Sequence, residues 1–186
     1  MAIIHVYLDP CDAMGANLIN QVCEHLKTPI ETLTQEAVTM CICSNLADHK
    51  ITRAEITLHN IDPELAERIC EASLFAQLDP YRAVTNNKGV LNGIDAVVTA
   101  TGNDSRAVEA GVHAYAARSG QYRSITQWKM KGKSLVGILE APIVVGTVGG
   151  VTRLHPTARL CMRILGVKHA DELAGIIAAV GLVQNL

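Results

Sequence analysis

One lysine, several amides and a carboxylate lie close together in residues 79–104, an otherwise apolar stretch with the sequence DPYRAVTNNKGVLNGIDAVVTATGND. From Val90 onward, apolar residues recur at three- and four-residue spacing, which predicts a buried helix. Lys88 and Asn92 are four residues apart, so they would share one face near the start of that helix. Asp104 follows the helix and is suited to cap the next one. This composition is unusual for a plain core and indicates a site for a polar ligand.

A structural explanation exists for each of these residues taken singly. Asp104 could be only a helix cap, Lys88 only a solvated lysine, and Gly89 and Gly93 could serve only the close packing of a second backbone. Taken together, these explanations do not account for the presence of so many polar side chains in one short stretch. Nothing structural requires four ligand-binding side-chain types along one short path: Arg82, Thr85, Lys88 and Asn92.

A second candidate site is the sequence DAMGAN, residues 12–17. It follows a predicted strand, and Asp12 is placed to cap a helix whose unpaired N–H groups suit an anionic phosphate. Gly15 would permit close approach in the first turn. The signal is weak by itself, because most such helices bind nothing, and the absence of a GxGxxG pattern argues against a Rossmann site.

Three motifs in order carry a family resemblance: DAMGAN, SNLAD at residues 44–48, and the long stretch at residues 79–104. With these motifs the chain resembles 3-hydroxy-3-methylglutaryl-coenzyme A (HMG-CoA) reductase, and the form of the long motif is similar to the bacterial class II branch. The resemblance implies a two-step reductive deacylation of HMG-CoA to mevalonate and coenzyme A, or the reverse reaction. It also implies NAD or NADP as the cofactor.

The resemblance assigns roles to individual residues. Lys88 matches the catalytic lysine, which would stabilise the oxyanion and hand over a proton, and Asp104 matches the aspartate that would hold it by a charge-assisted hydrogen bond. Substrate-binding positions are matched by Arg82, Thr85 and Asn92. Cofactor-binding positions are matched by Asp12, Ala13, Met14, Gly15, Ala16, Asn17 and Asn45. Four further arginines could contact coenzyme A phosphates, although solvated surface is the default for them: Arg118, Arg123, Arg153 and Arg159.

A glutamate and a mobile histidine that the family also uses are not found in this sequence. We therefore expect the chain to be a piece of the enzyme that lacks both ends, binds cofactor weakly and turns over little by itself. By resemblance, the expected partners are HMG-CoA, mevalonate and coenzyme A, together with further copies of the chain in a homodimer or larger homo-oligomer with shared active sites.

Composition excludes other function classes. A net charge of −2 argues against a nucleic-acid surface or a polybasic membrane anchor. No signal peptide or transmembrane helix is apparent. Seven histidines and six cysteines show no metal-ligand spacing, so no metal site is expected, and buried free thiols in a reducing cytoplasm are the expectation for the cysteines.

Periodicity predicts an α+β fold. Predicted strands cover Ala2–Leu8, Val38–Cys43 and Arg53–His59, followed by a hairpin of Ser124–Met130 and Ser134–Glu140. A helix beginning at Asp12 is expected to kink or restart at Pro29. Further helices are predicted from Asp62 to about Leu78, after a short loop beyond Pro80, over Asp104–Arg118, from Pro156 to Gly166, and from Ala170.

The resemblance implies two domains. Residues 1–60 would be part of a ferredoxin-like small domain that binds the nicotinamide cofactor, and residues 61–186 would be part of a helix-rich α+β large domain that binds substrate. Two other functions stay open. The chain could be a non-catalytic nucleotide- or acyl-CoA-binding module that keeps the scaffold, or a Schiff-base enzyme that uses Lys88, which borohydride trapping would test.

Overall fold

A three-stranded antiparallel sheet lies at the centre of the computed structural model, which describes residues 1–186. Its strands are β1 (Ile51–Leu58), β2 (Thr126–Lys131) and β3 (Ser134–Pro142), in the order β1-β3-β2. Along β1 every second residue is exposed, so Ala54, Ile56 and Leu58 face the core. The alternation and the hairpin are therefore confirmed, and the α+β class with them.

The chain also forms seven helices: α1 (Ala16–Thr34), α2 (Pro63–Leu78), α3 (Pro80–Ala100), α4 (Ser105–Ala116), α5 (Gly150–Leu154), α6 (Pro156–Leu165) and α7 (Ala170–Gln184). Of these, α2, α4 and α7 pack most closely on the sheet. Helices α2 and α4 begin as the sequence predicts, and in these two helices and in α3 an aspartate side chain caps the backbone of the first turn. Asp62 accepts from Leu65 N at 3.0 Å, and Asp104 accepts from Ala107 N at 3.2 Å. Asp79 accepts from Arg82 N at 2.8 Å.

The Asp79 cap corrects one prediction. We expected a loop after Pro80, but proline is acceptable at the first helical position, and α3 begins there and continues to Ala100. Pro29 likewise lies inside α1 without ending it. Helix α3 therefore carries the whole long motif as far as its final ATGND.

The core is aliphatic and lies between α3, α4, α7 and the sheet. Helices α3 and α7 approach closely through glycines, since a Cβ at Gly93 would lie 3.0 Å from the carbonyl oxygen of Val180. A Cβ at Gly181 would lie 2.7 Å from Ile94 Cγ1. The second backbone that the glycines of the long motif were expected to admit is therefore α7.

The first 50 residues differ from the prediction. Residues 2–8 and 38–43 form no strands, because a strand requires a hydrogen-bonded neighbour and neither segment has one. Helix α1 has no fully buried residue. Strand β1 pairs with β3 rather than with any segment of residues 1–50, with Arg53 opposite Glu140.

All six cysteines are free, as predicted, but none is fully buried: Cys11 is exposed and the other five are half-buried. The expectation of buried thiols was wrong, because four of the six cysteines lie in residues 1–50, which contribute nothing to the core cluster, and Cys70 only packs against its edge. None of the seven helices combines the length and the hydropathy that a membrane-spanning helix needs.

Candidate functional site

Two of the three motifs meet at one small cavity of about 60 Å³. Met14 and Ala16 of DAMGAN line it together with Asn45 of SNLAD. Its opposite wall includes Ala107, in the first turn of the helix that Asp104 caps. The remaining lining residues are small or apolar: Ile19, Cys43, Ser44, Ala47 and Val144. The predicted cofactor residues Met14, Ala16 and Asn45 are thus neighbours, and Asp104 lies one turn from the same cavity.

Gly15 sets the geometry of the DAMGAN turn. Its φ of 102° lies in the left-handed region, and a Cβ there would lie 2.8 Å from the Pro10 ring. Gly15 is the N-cap of α1, and no side chain caps the first turn of that helix. The first-turn N–H groups of this 19-residue helix are consequently uncapped. Asp12 was expected to cap the helix, and this expectation was wrong, because α1 begins only at Ala16 and the Asp12 carboxylate bonds to the start of α7 instead.

Asp12 holds three segments together. One carboxylate oxygen, Oδ1, accepts from Ala170 N at the start of α7 (2.9 Å), and Oδ2 lies 3.1 Å from His169 Nδ1. Its carbonyl oxygen accepts from Thr147 N at 2.9 Å. The bond from the Ala170 amide lowers the pKa of Asp12, and the bond to Asp12 raises the pKa of His169. Asp12 is therefore already engaged by protein groups and positions the motif.

Asn103 and Gly146 fix the other side of the motif. The Asn103 side chain accepts from Gly146 N at 2.8 Å and donates to the Gly146 carbonyl at 3.2 Å. A Cβ at Gly146 would lie only 2.5 Å from Met14 N, so the DAMGAN backbone rests directly on this glycine. Asn103 was not among the predicted site residues, although it lies next to Asp104 in the motif and could have been found there.

The substrate and lysine positions all lie on α3. At 100° per residue, Arg82, Thr85, Lys88 and Asn92 fall within an arc of about 120° on that helix. Lys88 is exposed, and no carboxylate lies within 4.0 Å of its ammonium group. The four side chains therefore form one polar stripe, as their spacing predicts.

Two buried asparagines fix the turn that carries Lys88. Asn86 Nδ2 donates to the hydroxyls of Ser124 (2.7 Å) and Thr126 (3.0 Å). Asn87 Nδ2 donates to the Arg123 carbonyl, and its oxygen accepts from Ile125 N. These bonds attach α3 to the segment leading into β2, which orients the stripe.

The expected apposition of Lys88 and Asp104 does not form within one chain. Asp104 lies beyond the C-terminal end of α3, and twelve residues of helix after Lys88 span about 18 Å. The two side chains cannot bridge that distance. The cation closest to Asp104 is instead Arg106, with Nε 3.8 Å from Oδ1.

A carboxyl pair that the sequence analysis missed joins α3 to α4. Asp95 continues the polar stripe of α3, and the carboxyl group of Glu109 faces it from α4. The Oδ1 atom of Asp95 is buried without a hydrogen-bond partner. Burial, together with the neighbouring Glu109, raises the pKa of Asp95 to about 7. The two groups can satisfy each other by sharing one proton.

The residues show no cluster of three or more His, Cys, Asp or Glu side chains that could hold a metal ion. The predicted site residues gather at two places in the molecule, the cavity and the polar stripe of α3. One carries the cofactor motif with Asp104, and the other carries Lys88 with the substrate positions.

Comparison with known proteins identifies the class to which this fold and these motifs belong. The sequence model of the hydroxymethylglutaryl-coenzyme A reductase family matches residues 1–186, so the chain belongs to that family. It is 45% identical over 189 residues to the 3-hydroxy-3-methylglutaryl-coenzyme A reductase of Archaeoglobus fulgidus, covering 100% of this chain and 43% of the relative. It is 36% identical over 190 residues to the probable reductase of Borreliella burgdorferi, covering 98% and 44%.

Among solved structures, the chain superposes on the 3-hydroxy-3-methylglutaryl-coenzyme A reductase of Streptococcus pneumoniae with a TM-score of 0.91 at 43% identity, covering 95% of this chain and 44% of that one. The class II enzyme of the same organism, described as bound to NADPH in open conformations, gives a TM-score of 0.91 at 44% identity, covering 95% and 51%. The α+β fold is thus that of the HMG-CoA reductases. The chain spans less than half the length of these two curated relatives.

Proposed function

We propose that this chain forms part of an HMG-CoA reductase that converts HMG-CoA to mevalonate and coenzyme A with two molecules of NADH or NADPH, or catalyses the reverse reaction. The observation that supports this most is the convergence of DAMGAN and SNLAD on one cavity beside the helix that Asp104 caps. Because the chain spans under half of its relatives' length, the activity is proposed for the whole protein.

The residues around the cavity fit a nicotinamide dinucleotide. The uncapped start of α1 suits its negatively charged diphosphate, and the small and apolar lining suits a flat ring. The proposed cofactor residues are Asp12, Ala13, Met14, Gly15, Ala16, Asn17 and Asn45. When bound, the reduced nicotinamide supplies the hydride. Nothing in these residues separates NAD from NADP.

The polar stripe of α3 would bind the acyl group. Arg82 would grip the free carboxylate of the substrate with its guanidinium fork, and Thr85 would add a hydroxyl. Asn92 would orient the substrate beside Lys88. The Lys88 ammonium would stabilise the negative charge that develops on the carbonyl oxygen and then donate a proton to it. Asp104 would hold that ammonium in place.

Because about 18 Å of helix separates Lys88 from the end of α3, beyond which Asp104 lies, we propose that the two side chains meet only between two chains. The stripe of one copy would face the cavity and Asp104 of another, in a homodimer or larger homo-oligomer with shared active sites. We further propose a division near residue 60 into a ferredoxin-like cofactor domain and a substrate domain, although β1 pairs with β3 across that division.

The separation of Lys88 from Asp104 within one chain favours one alternative function. A single copy in which Lys88 has no carboxylate partner could serve as a non-catalytic nucleotide- or acyl-CoA-binding module. An enzyme and a binding module differ in what Lys88 is needed for.

Lys88→Ala in the full-length protein distinguishes these two functions. It should abolish thioester-dependent oxidation of NADPH while leaving the Kd for NADPH within about twofold, because the lysine acts on the carbonyl oxygen and not on the cofactor. Lys129→Ala, an exposed lysine on β2, is the control and should keep full activity. Undiminished turnover in Lys88→Ala would remove the catalytic assignment.

Complementation tests the shared site. Inactive Lys88→Ala and Asp104→Ala proteins, mixed under conditions of subunit exchange, should recover up to about a quarter of the wild-type activity, because half of the random dimers carry one intact site. No recovery would be expected if both residues acted within one chain.

A further inference from the structure

The C-terminal end of α7 reaches the turn of α3 that carries Lys88. Asn185 directly follows the last helical residue of α7, and its Nδ2 donates to Asn86 Oδ1 at 2.9 Å. Asn86 lies two residues before Lys88 and is only 4% exposed. The end of one helix is therefore bonded to the buried side of the turn whose exposed side belongs to the polar stripe.

The bond from Asn185 completes the hydrogen bonding of Asn86. The Nδ2 of Asn86 already donates to the hydroxyls of Ser124 and Thr126, in the segment that leads into β2. The Oδ1 of Asn86 accepts from Asn185 and from no other donor of the chain. A buried acceptor that loses its only donor is unfavourable, so we expect Asn86 and the Lys88 turn to shift when Asn185 is removed.

Gly89, directly after Lys88, leaves room for the Asn185 side chain. A Cβ at Gly89 would lie 2.8 Å from Asn185 Oδ1 and 3.9 Å from Asn185 Cγ, and it would meet no other neighbouring side chain within 4 Å. Asn185 therefore contacts the turn on both sides of Lys88, by a hydrogen bond to Asn86 and by close approach to Gly89.

We propose that Asn185 is a positioning residue for Lys88. It bonds to Asn86 and not to the ammonium group, and it fixes the turn of residues 86–89 against α7. The proposal rests on the proposed function, in which the Lys88 ammonium stabilises the charge that develops on the carbonyl oxygen. An ammonium that is slightly displaced loses transition-state stabilisation more than it loses substrate affinity, so the effect belongs in kcat.

Steady-state kinetics of Asn185→Ala in the full-length protein test this role. The kcat should fall by about ten- to a hundredfold, the order of loss that a small misplacement of a reacting group causes. The KM for HMG-CoA and the Kd for NADPH should stay within about twofold of the wild-type values. Val183→Ala removes an exposed side chain from the same last turn of α7 and should keep the wild-type kcat.

The stoichiometry of NADPH binding measures the folded fraction of each variant, so a loss of folded protein is not mistaken for a lower kcat. An unchanged kcat in Asn185→Ala, an equal loss in Val183→Ala, or a rise in KM at constant kcat would overturn the proposal. So would a loss of activity that only matches the loss of NADPH-binding sites.

Gly89→Ala perturbs the same contact from the side of α3. Its new Cβ would push away the end of the Asn185 side chain, so kcat should fall as it does in Asn185→Ala. Alanine favours a helix more than glycine does, so this loss would not reflect a weaker α3. In the double variant the Cβ has no Asn185 side chain to displace, and kcat should equal that of Asn185→Ala alone. Losses that multiply in the double variant would contradict the proposal.

Lys88→Ala separates this inference from the proposed function. Turnover that is lost in Lys88→Ala but undiminished in Asn185→Ala would remove the role of Asn185 and leave the proposed function standing. Turnover that survives Lys88→Ala while Asn185→Ala lowers kcat would remove both, because Asn185 would then act through a group other than Lys88.

Discussion

Replacing Asp95 by asparagine should stabilise the protein, and the gain should depend on pH. In the folded chain the pKa of Asp95 is raised from 3.8 to about 7 by burial and by the facing Glu109. Between these two pKa values the folded state binds more protons than the unfolded state. The free energy of unfolding of the wild type therefore falls as pH rises from about 4 to about 7, through this group.

The raised pKa sets an upper limit for the effect. A difference of about three pKa units corresponds to about 4 kcal/mol at pH 8. Solvent reaches part of the site and screens the interaction, so we expect about 1–2 kcal/mol of stabilisation in Asp95→Asn at pH 8. The amide can donate to an ionised Glu109, which removes the repulsion. For a chain of this length the gain corresponds to a Tm rise of roughly 2–8 °C.

Urea unfolding followed by circular dichroism at pH 5 and pH 8 measures this effect. The stabilisation should be largest at pH 8 and close to zero at pH 5, because the wild-type pair still shares its proton there. Glu109→Gln should reproduce the behaviour, and the double variant should gain less than the sum of the two. Glu67→Gln, an exposed position on α2, should show no pH-dependent gain. A gain in Asp95→Asn that is the same at both pH values, or a loss at pH 8, would refute the shared-proton explanation.

Two further predictions concern the junction beneath the DAMGAN turn. Gly146→Ala should lower the free energy of unfolding by about 1–3 kcal/mol, because the new Cβ would lie 2.5 Å from Met14 N, and NADPH affinity should fall as well. Gly175→Ala is the control. Its new Cβ would meet nothing within 4 Å, so denaturant unfolding should show no loss of stability. The Asp12–His169 contact should stabilise the fold mainly between about pH 4 and pH 6.5. The pKa of Asp12 is lowered in the folded chain, so the contribution of Asp12 is lost as the pH falls below the usual value of 3.8. The pKa of His169 is raised, so the contribution of His169 is lost as the pH rises past the usual value of 6.5. Asp12→Asn should flatten that pH profile in thermal unfolding, and an unchanged profile would contradict the assignment.

Local patterns predicted most of the elements in residues 51–186. Capping aspartates, proline at the first helical position and alternating strand residues each act within a few positions of the chain, so they can be read without knowledge of the fold. The Asp62 and Asp104 caps and the β2–β3 hairpin were predicted correctly for this reason. Local signals were insufficient at Asp79–Pro80, because the same pair can end one helix or begin another.

The strands predicted at residues 2–8 and 38–43 failed for a different reason. Their composition favours a strand, but a strand forms only against a hydrogen-bonded neighbour. The partner of β1 could not be predicted from local composition either. Strand β1 pairs with β3, and this pairing depends on how the core packs.

The sequence by itself determined the family, through three ordered motifs, and it determined which side chains share the exposed stripe of α3. Helical periodicity and capping depend on neighbours a few residues away, so they can be recognised in the sequence. Only the tertiary structure decided that α3 continues unbroken from Pro80 to Ala100 and so separates Lys88 from Asp104, and that Asp95 faces Glu109. It also decided that Gly146 supports the DAMGAN turn. Those relations join segments that only the packing of helices, loops and sheet brings together.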